Sequence, residues 1–113
     1  MAFQGLTVLT KRSDFVAASR AQRAATPAFI LQARKSGLDG VRVGFTCSKK
    51  VGNAVARNKA KRRLREIARL TLPDSGRPGW DYVLVGRRSE TAKRAFPEML
   101  NDMARALAKV HTP

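Results

Sequence analysis

Hydrophobic positions along this chain switch between a helical and an alternating period, and the switches mark out its elements. Phe15, Val16, Ala18 and Ser19 follow Ser13-Asp14. A serine N-cap with an acid in the first turn suits a helix start, so a short helix is predicted from Ser13 to about Arg23. Thr26-Pro27 ends it, because the residue before a proline is pushed out of the helical region. Residues 28–34 read as a strand and 35–40 as a turn with two glycines. Val41 to Cys47 alternates apolar and polar positions and is expected as a second strand hairpinned to the first. Behind Gly52-Asn53 a long helix is predicted from about Ala54 to Leu70, then a loop over 73–79 holding two prolines and two glycines. Tyr82-Val83-Leu84-Val85 is short, apolar and β-branched, as suits a strand buried on both faces. The last helix is expected to begin near Pro97, a residue suited to the first helical turn. It carries Met99, Met103, Ala106 and Val110 on one stripe, with Leu100 and Leu107 beside it, and that stripe reads as core. Helix, hairpin, helix, strand, helix predicts an α/β sandwich, helices packed on a small sheet, with residues 1–113 forming one domain.

Charge changes the picture. Twenty-three Lys and Arg stand against eight Asp and Glu, a formal net charge of +15, while 43% of the residues are apolar. A chain apolar enough to fold yet so self-repelling is best relieved by a polyanion. No run approaches the 18 or so apolar residues of a membrane span. The mildly apolar stretch Met1 to Thr10 has its charges, Lys11 and Arg12, after it and not before it, against the order of a signal peptide. A nucleic acid is therefore expected, and no membrane. Cys47 is the single cysteine, which reads as a small hydrophobe in a strand and suits a reducing, cytoplasmic setting.

The charge concentrates between Lys49 and Arg69, where nine basic residues accompany one acid, Glu66. Advancing about 100° per residue with Arg57 at zero, Lys61 falls at about 40°, Arg65 at about 80°, Asn58 at about 100°, Arg69 at about 120° and Arg62 at about 140°. Ala56, Ala60, Leu64, Ile67 and Thr71 gather at about 260° to about 340°, a narrow seam for docking on a sheet. A solvated charged face is the ordinary fate of such a helix, but it normally alternates signs. Here acids are missing and Arg is preferred over Lys, which suits bidentate phosphate contact. On these grounds alone the polymer is either DNA or RNA.

Lys49-Lys50-Val51-Gly52-Asn53-Ala54-Val55-Ala56-Arg57-Asn58, with Lys61-Arg62, Arg65 and Glu66 behind it, closely resembles the signature of the bacterial ribonuclease P protein family. Arg12-Ser13-Asp14-Phe15 resembles that family's opening helix, Arg42-Val43-Gly44-Phe45 a strand, and Asp81 to Arg87 its late strand and following arginine. The resemblance implies an α-β-β-β-α-β-α order around a four-stranded sheet, with a left-handed crossover at the basic helix. It implies a subunit that binds the catalytic RNA through Arg57, Asn58, Lys61, Arg62 and Arg65. It also implies a cleft for the single-stranded 5′ leader of precursor tRNA, held by Phe15, Ser48, Lys49, Lys50, Arg87 and Arg88. The resemblance further implies that the RNA carries the chemistry, with Mg²⁺ held mainly by RNA; no obligate protein partner is evident from the sequence. A cationic track with aromatic stacking suits single strands of many sequences. Ser19 and Gln32 stand where aromatics are frequent in the family, so stacking is expected to be thinner here, with more weight on Lys and Arg. Taken alone, Phe15 reads as a core residue.

Residues for protein-based catalysis are sparse. His111 is the single histidine, expected as an exposed tail residue. A metal nuclease needs clustered carboxylates, yet the acids are scattered. Glu98 and Asp102, the only acidic pair at helical i,i+4 spacing, lie near a helix start, where acids favour the dipole. A ribosomal or RNA-chaperone protein with a generic basic helix is the alternative reading, and a stand-alone nuclease ranks behind it.

Overall fold

The computed structural model describes residues 2–3 and 5–112. The order is β1 (Ala2–Phe3), β2 (Leu6–Val8), α1 (Arg12–Ser19), β3 (Gln22–Ala25), β4 (Phe29–Lys35), β5 (Val41–Thr46), a 3-10 turn (Lys49–Val51), α2 (Ala54–Ser75), β6 (Trp80–Gly86), α3 (Glu90–Lys93) and α4 (Phe96–Val110). From α1 onward this is the expected α-β-β-β-α-β-α series, with one added turn of helix, α3. The sheet differs from expectation. It has six strands in the order β1-β2-β5-β6-β4-β3, not four, because the N-terminal pair β1–β2 adds to the β5 edge.

The expected hairpin between β4 and β5 does not form. β6 lies between them, antiparallel to β4 (Leu31↔Leu84) and parallel to β5 (Phe45↔Leu84). β6 holds the most continuously apolar run, and the sheet centre is the position buried on both faces. The segment joining β4 to β5 therefore steps over the start of β6. Ser36 and Gly37 donate backbone N–H groups to the Gly79 carbonyl, and Gly79 donates to Gly40.

Helix α1 ends at Ser19, short of Arg23, and its N-cap is Lys11, not Ser13. Residues 22–25 instead form the edge strand β3, paired antiparallel to β4 with Arg23 opposite Gln32. Nothing β-branched marks that strand; its backbone bonds to β4 and the buried Ala24 hold it. Helix α2 runs past Leu70 and through Pro73 to Ser75. Pro73 lies in the last turn on an exposed position, while Leu72 beside it is buried and its carbonyl accepts the Gly76 N–H at 2.8 Å.

Strand alternation divides the core between the two faces of the sheet. Phe29, Leu31, Val43, Tyr82 and Leu84 pack on one face against Leu64, Ile67 and Leu72 of α2 and Met99, Met103 and Val110 of α4. Val83 and Val85 point to the other, where Leu9 and α1, through Phe15 and Ala18, cover them. Asp81, fully buried, is held on this sheet by Arg42 through two hydrogen bonds of 2.7 and 2.6 Å, with Asp14 of α1 and Arg34 nearby. Those paired charges raise the Arg42 guanidinium further above its usual range, its hydrogen bonds to Asp81 being the main cause.

Candidate nucleic-acid interface

Helix α2 is launched by Gly52, whose φ of 148° favours glycine and where a Cβ would stand 2.9 Å from that of Ala56. Asn53 caps it, its Oδ1 accepting the Ala56 N–H at 2.9 Å. Ala60, Leu64, Ile67, Ala68 and Leu72 are then buried, while Asn58, Lys61, Arg62 and Arg65 are exposed and Arg57 is half-buried. The arc drawn from helical spacing is thus a surface. Among the described residues Arg57, Lys61, Arg62 and Arg65 make no ion pair, and the buried Arg57 Nε makes no hydrogen bond. The Arg65 guanidinium rests 5.7 Å from the Phe45 ring centroid, which steadies it without neutralising it. Arg69, at the far end of the arc, is spent on Glu66 in an i,i+3 pair, and its hydrogen bond is the main reason the Glu66 carboxyl sits below its usual range.

The second group assembles for a topological reason. β5 and β6 are parallel neighbours, so the segments that leave them emerge side by side. They run so close that a Cβ on Gly86 would meet Cys47 Sγ at 2.7 Å. Ser48, Lys49 and Lys50 follow one strand, Arg87 and Arg88 the other, and together with Val51, Gly52 and Gly86 they line a concavity of about 770 Å³. Ser48 Oγ accepts the Lys50 N–H at 3.3 Å and so starts the 3-10 turn. Arg87 is partly committed, donating to the Thr26 carbonyl at 2.6 Å; Lys49, Lys50 and Arg88 have no acidic partner among the described residues. Cys47 is half-buried behind this site, and burial pushes its thiol up despite the nearby Lys61 and Arg57 charges.

Phe15 lies in a separate, shallower groove of about 280 Å³, lined by Arg12, Phe15, Val16, Ser19, Gln32, Thr46, Val83 and Val85. Ser19 and Gln32, the two positions singled out for lacking an aromatic, therefore line one groove with Phe15, Ser19 beside it on α1 and Gln32 on β4. Ser19 Oγ is bonded back to the Val16 carbonyl, whereas the Gln32 amide has no side-chain partner among the described residues. Arg12 was missed from sequence, although Arg12, Phe15, Val16 and Ser19 repeat at i, i+3, i+4, i+7, the spacing of one helix face.

Two expectations fail. His111 is not an exposed tail residue. It is half-buried, its Nε2 is 2.6 Å from the Tyr82 hydroxyl, and it packs edge-on against Trp80 and Tyr82. Burial, and secondarily the Arg77 charge, lowers its imidazole below the usual range. Glu98 lies in the first turn of α4 as expected, but Asp102 lies beyond it, fully buried, and accepts from Arg94 at 2.7 and 3.1 Å and from Arg105. No three His, Cys, Asp or Glu side chains gather among the described residues, and none of their helices is long and apolar enough to cross a membrane.

Comparison with known proteins places the chain in a family. The family model described as Ribonuclease P matches residues 3–111. The chain is 63% identical to a ribonuclease P protein component of Ruegeria pomeroyi, over 99% of this chain and 92% of that one. It is 44% identical to its counterpart in Paramagnetospirillum magneticum, over 90% and 80% of the two chains. Among solved structures, the Staphylococcus aureus RNase P protein superposes with a TM-score of 0.72 at 28% identity, covering 93% of this chain and 97% of that one.

Proposed function

The chain belongs to the ribonuclease P protein family, and from that membership we propose that it grips two RNAs at once within a ribonuclease P ribonucleoprotein. That particle is the endoribonuclease that removes the 5′ leader of precursor tRNA and leaves a 5′-phosphate on the mature end. In this reading Arg57, Asn58, Lys61, Arg62 and Arg65 hold the catalytic RNA. The leader runs along Ser48, Lys49, Lys50, Arg87 and Arg88 and stacks on Phe15.

The observation that carries the proposal is the pair of cationic surfaces without acidic partners, one on α2 and one where β5 and β6 end. Each unpaired Lys or Arg can displace a counterion from phosphate. The groove beside Phe15 offers one aromatic face, with Val83 and Val85 beside Gln32 and Thr46, so the grip on a base there leans on one stack, with hydrogen bonding from Gln32 and charge from Arg12.

Mg²⁺ belongs to the RNA in this scheme. A hard cation needs several oxygen ligands, and the buried carboxylates Asp81 and Asp102 are committed to arginines. When bound, the metal ions supply the activated water and stabilise the leaving oxygen. The protein's share is to neutralise phosphate charge and hold the leader in place.

Reconstitution with a bacterial ribonuclease P RNA at low Mg²⁺ tests this directly. The protein should raise cleavage of precursor tRNA well above that by the RNA alone. A protein that binds the RNA but gives no gain in precursor cleavage would be a general RNA-binding protein instead.

A further inference from the structure

Arg63 sits inside the basic run of α2 but does not share its face. At about 240° from Arg57 it points away from the cationic arc. Its guanidinium donates to three backbone carbonyls, those of Thr91 at 3.3 Å, Ala92 at 2.8 Å and Arg94 at 2.5 Å. It also lies 5.9 Å from the centroid of the Phe96 ring. These carbonyls end α3, a helix of four residues, where no later turn supplies N–H partners. A planar fork with five donors can serve three acceptors at a helix C-terminus, where positive charge is also favoured.

The other end of α3 is pinned separately. Thr91, fully buried, donates its hydroxyl to the Ala28 carbonyl at 2.5 Å and accepts the Arg87 N–H at 2.7 Å. Between Arg87 and Thr91 the chain makes a sharp bend at Ser89, with a φ of 64° that is rare outside glycine. The segment carrying Arg87 and Arg88 is thus held to Thr91, and the α3 turn that follows it is held by Arg63.

The position of the clasp matters. One wall of the concavity is Ser48–Gly52, which leads straight into α2. The other is Gly86–Arg88, which leads straight into α3. Arg63 bonds α2 to α3, and so ties together the elements that continue the two walls. We propose that Arg63 is a positioning residue: it contacts no RNA, and it sets the separation between Lys49–Lys50 and Arg87–Arg88, hence the grip on the leader. This rests on the leader reading above.

Arg63→Lys is the informative substitution, since it keeps the charge and loses the fork. In the reconstituted holoenzyme the preference for precursor over mature tRNA should fall by roughly tenfold. The loss should appear as a raised KM for precursor, with single-turnover cleavage at saturation unchanged. Affinity for the catalytic RNA and its salt dependence should stay as in the parent, whereas loss of a phosphate contact would flatten the salt slope by about one. Full retention of the preference in Arg63→Lys overturns the proposal, and so does a weakened, less salt-dependent binding of the catalytic RNA. Lys49→Ala with Lys50→Ala is the companion variant. If it too keeps full preference, the leader reading fails; if it alone loses preference, only the role of Arg63 fails. Should Arg63→Lys not fold at the assay temperature, Phe96→Leu removes the ring under the guanidinium and keeps the hydrogen bonds. A smaller loss of preference in the same direction supports the tie, and an unchanged preference overturns it.

Discussion

Gly44 and Phe15 approach so closely that a Cβ on Gly44 would stand 2.6 Å from Phe15 Cε1 and 2.7 Å from Cζ. The absence of a side chain on β5 lets the ring lie against the sheet, with Leu9, Ala18 and Val83 forming the small core behind it. Phe15 is therefore both packed and presented, and the two roles need different substitutions. Phe15→Leu keeps apolar volume and removes the π-face. A lost base–aromatic stack is worth about 1–3 kcal/mol, so precursor-over-mature discrimination should fall several-fold to about a hundredfold. Gly44→Ala should displace the ring, lower stability by about 1–3 kcal/mol through overpacking, and erode the same discrimination. Denaturant melts and competition between precursor and mature tRNA measure both. A stable Phe15→Leu enzyme with undiminished discrimination would confine Phe15 to the core.

On α2 the expected consequences are different. Arg62→Ala with Arg65→Ala should weaken binding to the catalytic RNA by roughly 1–3 kcal/mol and flatten its salt dependence by about one phosphate contact for each residue. Lys59→Ala should do much less, because Lys59 lies off the arc at about 200°. Binding titrations over a range of salt concentrations decide this, and equal losses from the two changes would show that the arc does not define the interface.

The α2 surface was legible because a long amphipathic helix carries its own ruler. Burial of Ala60, Leu64 and Ile67 beside exposed Lys61, Arg62 and Arg65 follows from a period of 3.6 residues. Elements set by partners elsewhere in the chain were not legible. Residues 22–25 have a helix-compatible composition and become a strand because β4 offers a free edge, a tertiary override of local preference. The hairpin expected between β4 and β5 failed because adjacency in sequence was read as adjacency in the sheet, while β6 claimed the centre. Among site residues, Ser48 to Lys50 and Arg87 to Arg88 came from the family resemblance. The reason they meet, parallel pairing of β5 and β6, could not be seen in either segment alone. Arg63 looked like one more cation, and only the carbonyls of α3 distinguish it.

His111 gives the fold a measurable dependence on pH. Its imidazole sits below the ordinary range when folded, whereas in the unfolded chain a histidine titrates near about 6.5. The unfolded state therefore takes up the proton more readily. The contribution of the buried neutral ring is fully present above about pH 6.5 and is lost as pH falls through the folded value. Thermal or urea melts from about pH 7 to about pH 5 should show stability declining on acidification. His111→Gln keeps an acceptor for the Tyr82 hydroxyl and should flatten that decline. Glu66, lowered from 4.5, acts only in a more acidic window and does not confuse the comparison. An unchanged slope in His111→Gln would remove His111 as its source.

Asp102 separates structure from chemistry most sharply. A fully buried carboxylate in a nuclease subunit invites a catalytic reading, yet among the described residues its side-chain hydrogen bonds all come from Arg94 or Arg105, and Glu98 pairs with Arg94 alone, at 3.5 Å. Both acids lie on α4, and neither Asp102 nor Glu98 lines the concavity of Lys49, Lys50, Arg87 and Arg88 or the groove of Phe15. Asp102→Ala strands the half-buried Arg94 guanidinium, whose charge the carboxylate favours first through its hydrogen bonds, and should lower the melting temperature clearly. Glu98 is more than half exposed, so Glu98→Ala should change stability little. At saturating RNA and below the melting transition, both variants should cleave precursor tRNA in a single turnover at a rate near that of the parent. A hundredfold drop for either, in protein shown to be folded, would mean that a protein carboxylate enters the chemical step. Loss of stability without loss of rate is the outcome expected of a subunit whose acids serve its own fold and whose cations serve the RNA.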